Sequence, residues 1–221
     1  MSYLLRVILP DRPGSLGAVA TAIGTTGADI VSVDIVDKYD EVVVDDIVID
    51  MAPGQMPDEV LSAAHRLEGV SVESIRPFDG ALATHRELEL LESMSGHPQE
   101  ASQLMVDELP RIFRSGWAVL VRRDGEIMRR SPGAPELDRV SPWQQPALAK
   151  FLNPITDAVP DEWTTLDTSL MTGPAGDEYA FVSGRPGGPD FRPSELSRLA
   201  HLVGISRSVW LRYAEGKDYD D

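Results

Sequence analysis

Asp11, Arg12, Pro13, Gly14, Ser15 and Leu16 stand where an apolar, strand-like run, YLLRVIL (3–9), gives way to a helix-like run, SLGAVATAIGTTG (15–27). Proline fixes φ, glycine permits a tight bend, and Ser15 is the natural cap of the helix that follows. The first N–H groups of a helix have no partner inside it, and its aligned peptide dipoles favour negative charge there. A turn of this kind suits the carboxylate of a small ligand. Capping alone requires neither Arg12 nor Asp11.

Elsewhere, residue types that perform chemistry lack the necessary spacing. The chain has no cysteine, which excludes disulfides, thiolate metal sites and cysteine nucleophiles. His65, His85, His97 and His201 share no ligand-like spacing. Ser183-Gly184 lacks the context of a nucleophile elbow, and RPGGPDFRP (185–193) has neither the lysine nor the spacing of a phosphate loop. That segment reads as a surface loop; in a sensor, Arg185 or Arg192 would close over an anionic ligand. Asp45 and Asp46 alternate to opposite faces of a strand, so they are not a paired-carboxylate site. They read, with the acidic turn DKYDE (37–41), as solvated loop and edge charge. No catalytic residue, metal ligand or cofactor is assigned, and the chain is read as a non-enzyme.

The elements that position the turn follow from periodicity. DIVSVDIVD (29–37) alternates, with Val31, Val33 and Ile35 on one face, and VVVDDIVIDM (42–51) follows after a short turn. DEVLSAAHRLEG (58–69) carries a helical stripe of Val60, Leu61, Ala64 and Leu67, and VSVESIRPF (70–78) closes as a strand. Strand, helix, strand, strand, helix, strand is the split βαβ arrangement of a ferredoxin-like fold. Its sheet has helices on one face only. The other face calls for a second subunit, a second copy of the unit or the rest of this chain; no second copy occurs downstream.

A boundary is placed near residue 80, giving domains 1–79 and 80–221. The second part opens with two helical regions, 79–96 and 97–116, the latter with Pro110 as a kink or break. A hairpin follows, WAVLVRR-DG-EIMRRS, whose Asp-Gly accepts a tight turn. QQPALAKFLN (144–153) reads as a helix with Pro146 in its first turn. YAFVSGR (179–185) reads as a strand, and 194–214 as a long closing helix capped by Ser194. Trp117 and Trp210 read as core; Trp143 and Trp163 read as packing, or as the lining of a sensor cavity. The architecture expected is α+β: a βαββαβ domain followed by an α/β domain.

The net charge is −16, from 36 acidic and 20 basic residues. It disfavours nucleic acid and anionic membrane surfaces. The most basic stretch, VRRDGEIMRR (121–130), is interrupted by Asp124 and Glu126 and reads as an exposed hairpin. No apolar run approaches the roughly 20 residues that span a bilayer, and a cytoplasmic location is expected.

LPDRPGSLGAVATAIGTTGADIVSVDIV resembles the start of an ACT domain, a small regulatory module of amino-acid metabolism: a strand ending in Asp-Arg-Pro-Gly, a Leu, a helix, then Gly-Ala and a second strand. The resemblance covers about residues 3–78. It implies a homodimer with an amino acid or related small molecule at the shared interface. It carries ligand contact onto Asp11, Pro13, Gly14, Ser15 and Leu16, with Asp29 and Ile30 across from them. Many ligand-binding members have asparagine where this chain has Asp29; ionised aspartate only accepts hydrogen bonds. Residues from about 80 to 214 resemble a GAF domain, a sensing and dimerisation module with a central antiparallel sheet. The resemblance rests on helices first, the hairpin, the strand pair near YAFVSGR and the phrase with Phe191, Pro193, Glu195, Leu196, Leu199 and Ala200. The expected function is regulatory ligand sensing, with output through a protein partner or through assembly. The alternatives are an interaction module without ligand and, third, a small enzyme.

Overall fold

The computed structural model describes residues 1–78, 83–141 and 143–217, in two compact units, Met1–Ala81 and Leu82–Asp221. The boundary expected near residue 80, and residues 79–82 of the helix expected from 79, lie outside the described residues.

The first unit runs β1 (Ser2–Pro10), α1 (Ser15–Thr25), β2 (Asp29–Tyr39), β3 (Val42–Asp50), α2 (Pro57–His65) and β4 (Ser71–Pro77). Its sheet has the order β2-β3-β1-β4 with antiparallel pairing throughout, which is the expected βαββαβ fold. Period-two alternation sends Leu5, Val7 and Leu9 of β1 and Ile47 and Ile49 of β3 to one face. There they pack with Val19 and Ile23 of α1 and Val60 of α2. Leu4, Val44 and Val48, of opposite parity, are also buried.

Asp45 and Asp46 are not the solvated edge charges expected. β3 lies between β1 and β2, and each aspartate is only 2% exposed. Asp46 takes a two-pronged bond from its register partner Arg6, with Nε and Nη2 donating to its two carboxylate oxygens at 2.8 and 3.0 Å. Asp45 stands opposite Val7 and Ile35, and its Oδ1 has no hydrogen-bond partner among the described residues. Burial first, then the charges of Asp46 and Asp34, push its pKa above the ordinary carboxylate range. The folded chain therefore binds this proton more tightly than the unfolded chain. The group's contribution is greatest at low pH and is lost as pH rises through the raised value. Asp45→Asn is expected to stabilise the first unit at neutral pH by roughly 1 kcal/mol, because it removes a buried unpaired charge. The gain should shrink as pH falls through the raised value, where the native carboxyl takes up its proton; melts at neutral and at acidic pH check it.

The second unit runs α3 (Ala83–Gly96), a 3-10 turn (Pro98–Glu100), α4 (Ala101–Ile112), β5 (Trp117–Arg122), β6 (Ile127–Arg130), β7 (Lys150–Leu152), α5 (Asp161–Thr164), β8 (Ser169–Ala175), β9 (Tyr179–Arg185) and α6 (Pro193–Lys217). The sheet order is β6-β5-β9-β8-β7, again antiparallel. Leu120, Met171 and Phe181 pack with Met94 of α3, Leu109 of α4 and Leu199 of α6. Trp117, Val119 and Val182 belong to a separate core with Val140 and Trp163 from the irregular middle segment. The Trp163 ring lies 5.5 Å from Trp117 and 6.3 Å from Trp143, so these indoles pack against one another. Trp210, expected in the core, is 48% exposed.

Local expectations fail for physical reasons. Residues 144–153 contain an edge strand, β7, rather than a helix; Gln145 is pinned by its side-chain amide, which donates to the Tyr179 carbonyl. Ser194 does not cap α6, and its hydroxyl has no partner among the described residues. Instead Glu195, in the first turn, reaches back with Oε2 to accept the Arg192 N–H at 2.9 Å. Arg185 does not close over a ligand. It is 2% exposed, and its Nη2 donates to Glu195 Oε1 at 2.7 Å and to the Phe113 carbonyl. Its Nη1 donates to the Pro189 carbonyl at 3.0 Å, and the guanidinium lies 4.0 Å from the Phe191 ring centre.

Candidate functional site

The turn after β1 is held by its own backbone. Asp11 N–H donates to the Glu41 carbonyl at 2.7 Å, Arg12 N–H to Pro10 at 2.9 Å and Ser15 N–H to Arg12 at 3.2 Å. Gly14 takes φ 93° and ψ −14°, the left-handed region, and it is this residue that occupies the N-cap. Ser15 is the first helical residue, not the cap. Its hydroxyl is buried and has no partner among the described residues. A glycine cap has no side chain to turn back on the helix, and the N–H groups of Leu16 and Gly17 carry no bond among the described residues; the first helical bond is Ala18 N–H to the Gly14 carbonyl at 2.9 Å. Two free donors, an unpartnered hydroxyl and the positive end of an eleven-residue helix therefore converge.

Asp11, Arg12, Pro13 and Gly14 are exposed and Leu16 is 38% exposed, so the turn is accessible. Asp11 would repel a carboxylate, but Lys38, near the end of β2, places its ammonium 2.6 Å from Asp11 Oδ2. The pair is exposed and adds little stability. Its consequence is local neutrality. Lys38 was not singled out in the sequence because only the strand register shows which end of β2 borders the turn.

Asp29 and Ile30 do not face the turn within one chain. Asp29 pairs with Asp50 and Tyr39 with Val42, while Pro10, which leads into the turn, also pairs with Val42. From Val42 to Asp50 at about 3.3 Å per residue, the two halves of the expected site lie about 26 Å apart at opposite ends of the sheet. Asp29 therefore adds no charge to the turn of its own chain.

Residues 3–69 match the model of the ACT domain family. Residues 3–69 form an ACT domain. No curated protein matches the chain. Among solved structures, a formyltetrahydrofolate deformylase from Pseudomonas putida KT2440 is similar at 9% identity and a TM-score of 0.30, over 44% of this chain and 39% of that one. This chain thus spans about two-fifths of the deformylase's length. An unknown protein from Galdieria sulphuraria is similar at 11% identity and a TM-score of 0.33, over 96% and 93% of the two chains. A protein assigned as a glycine cleavage system transcriptional repressor is similar at 9% identity and a TM-score of 0.30, over 91% and 89%. The fold reading rests on the chain's own strand order and on the ACT match.

In the ACT domain β2 is an edge strand, paired on one side only. Along it Val31, Val33 and Ile35 are 57%, 39% and 65% exposed. A long, unpaired apolar edge is a template for another strand. The alternation of DIVSVDIVD carried this signal in the sequence, but not that the strand would lie at the edge. Among the described residues, no group of three or more His, Asp or Glu is placed to hold a metal ion, and no helix is long and apolar enough to cross a membrane.

Proposed function

We propose that this chain is a regulatory protein, not an enzyme, whose ACT domains pair along β2 and hold an amino acid or related small molecule at the junction. The observation that carries the reading is the separation of the turn from Asp29 and Ile30. Two-fold antiparallel pairing of β2 about its midpoint sets the Asp29 end of one copy against the Tyr39 end of the other, beside the turn. The split site becomes one site, twice per dimer.

The chemistry divides accordingly. The free N–H groups of Leu16 and Gly17 and the Ser15 hydroxyl take the ligand carboxylate, with Pro13 and Gly14 shaping the floor. Asp29 from the second copy, acceptor only, takes the ammonium, and Ile30 lies beside it in the strand. A ligand held by both copies binds the assembled state and stabilises it, by about 2.7 kcal/mol at a hundred times its Kd. The element order of the second unit supports the GAF-like reading of a further sensing or dimerisation module. Output passes to a protein partner or through assembly, in the cytoplasm.

Thermal-shift measurements against the twenty amino acids test the proposal. At least one is expected to raise Tm at millimolar concentration, and no shift from any of them would defeat it. Gly14→Val should abolish the shift. Nothing crowds a Cβ at Gly14, so the cost to folding is only the left-handed φ, about 1–2 kcal/mol. A shift that survives Gly14→Val would place the ligand elsewhere.

A further inference from the structure

We propose that the second unit binds an aromatic carboxylate in a cavity between α6 and the β5-β6-β9 end of its sheet. The cavity has a volume of about 590 Å³, within the range of small-molecule sites. It lies beside Leu120, Phe181 and Tyr179 of the helix-packed core, whereas Trp117, Trp143 and Trp163 belong to the other core. Leu120, Met128, Tyr179, Phe181 and Trp210 supply an aromatic and thioether wall, which favours a flat, polarisable ligand body.

Two polar groups give that body a head. Ser206 lines the cavity and is 4% exposed, and its hydroxyl makes no hydrogen bond among the described residues, not even to the preceding turn of its own helix. A ligand oxygen in the cavity gives this hydroxyl a partner. Arg207, the next residue, lies across the β8–β9 turn. A Cβ at Gly176 would stand 2.9 Å from its Nε, so glycine there makes room for the guanidinium. Arg207 forms no ion pair among the described residues, which leaves its planar fork free for a carboxylate. Asp177 and Glu178 border the same cavity but are exposed at the tip of the turn, where water solvates them. The head group favoured is therefore anionic.

Calorimetric titration of the full chain with 2-naphthoate, and with neutral 2-naphthamide as its match, tests the site. The expected result is saturable one-to-one binding of the carboxylate, weakened about tenfold or more for the amide, in Arg207→Gln and in the cavity-filling Ser206→Met. Arg212→Gln, an exposed α6 arginine outside the cavity, should bind as the parent does. Circular dichroism checks that Ser206→Met folds; Arg207→Gln alters an exposed side chain and carries the test if it does not. The assignment is overturned by the absence of saturation at millimolar 2-naphthoate, or by an Arg207→Gln isotherm equal to the parent's. It is also overturned if the naphthoate fails to bind and Trp210→Ala converts an assembly to a smaller one, which would make this face a contact between copies.

Discussion

Arg185→Met is expected to cost the second unit about 3–5 kcal/mol. The side chain is not at a ligand site; it closes the loop between β9 and α6. With it go the bonds to Glu195 and to the carbonyls of Phe113 and Pro189. Glu195, 2% exposed, then loses the Arg185 guanidinium, and that loss at a buried carboxylate accounts for most of the cost. Arg185→Lys keeps the charge but lacks the fork that serves three elements together, so it should recover only part of the stability. Arg185→Met with Glu195→Leu removes both charges and should recover most of what Arg185→Met loses, less the bond that Glu195 accepts from the Arg192 N–H at the start of α6. All four tryptophans lie in the second unit, so denaturant unfolding followed by their fluorescence reports that unit separately. Equal stability of Arg185→Met and the parent would mean the buried pair is dispensable.

The same residue shows where sequence reasoning stops. Arg185 and Glu195 are ten residues apart in a segment rich in glycine and proline, and nothing local says that the loop folds under to bury them. Arg6 and Asp46 are forty residues apart, and only the order β2-β3-β1-β4 makes them neighbours. Alternation assigned Asp45 and Asp46 to opposite faces, yet it carries no information on whether β3 is central or edge, and that decides whether the charges are wet or buried. Local signals succeeded where the chemistry is local. Pro13 and Gly14 make the bend they imply, and Asp124-Gly125 makes the hairpin turn, with φ 89° at Gly125. Ser15 failed as a cap by one position, because Gly14 accepts the left-handed conformation that starts the helix. The candidate site was legible as a turn but not as a pair of half-sites, since the distance from Asp29 to the turn depends on strand direction and register.

That distance makes the edge of β2 decisive, and Val33→Glu with Ile35→Glu is expected to leave the chain monomeric. Val33 pairs with Ile47 and Ile35 with Asp45, so both point to the helix-side face near the strand's midpoint. Both are exposed in the single chain, so the substitution should leave the fold's own stability nearly unchanged. In a two-fold strand pair the four new carboxylates meet across the junction. At about 1 kcal/mol each, they raise the dimer Kd several hundredfold. β2 already carries Asp29, Asp34 and Asp37 against a single Lys38, so like charges oppose pairing in the parent as well. Added salt screens that repulsion and should strengthen the parent dimer. Light scattering at low and high salt reads both effects. A parent that is a monomer under all conditions would remove the junction on which the amino-acid site depends. A double variant that stays dimeric would move the interface away from β2, leaving the turn and Asp29 about 26 Å apart. Loss of the dimer together with the amino-acid thermal shift, while the circular dichroism spectrum is retained, is the result that binds assembly and ligand into one equilibrium.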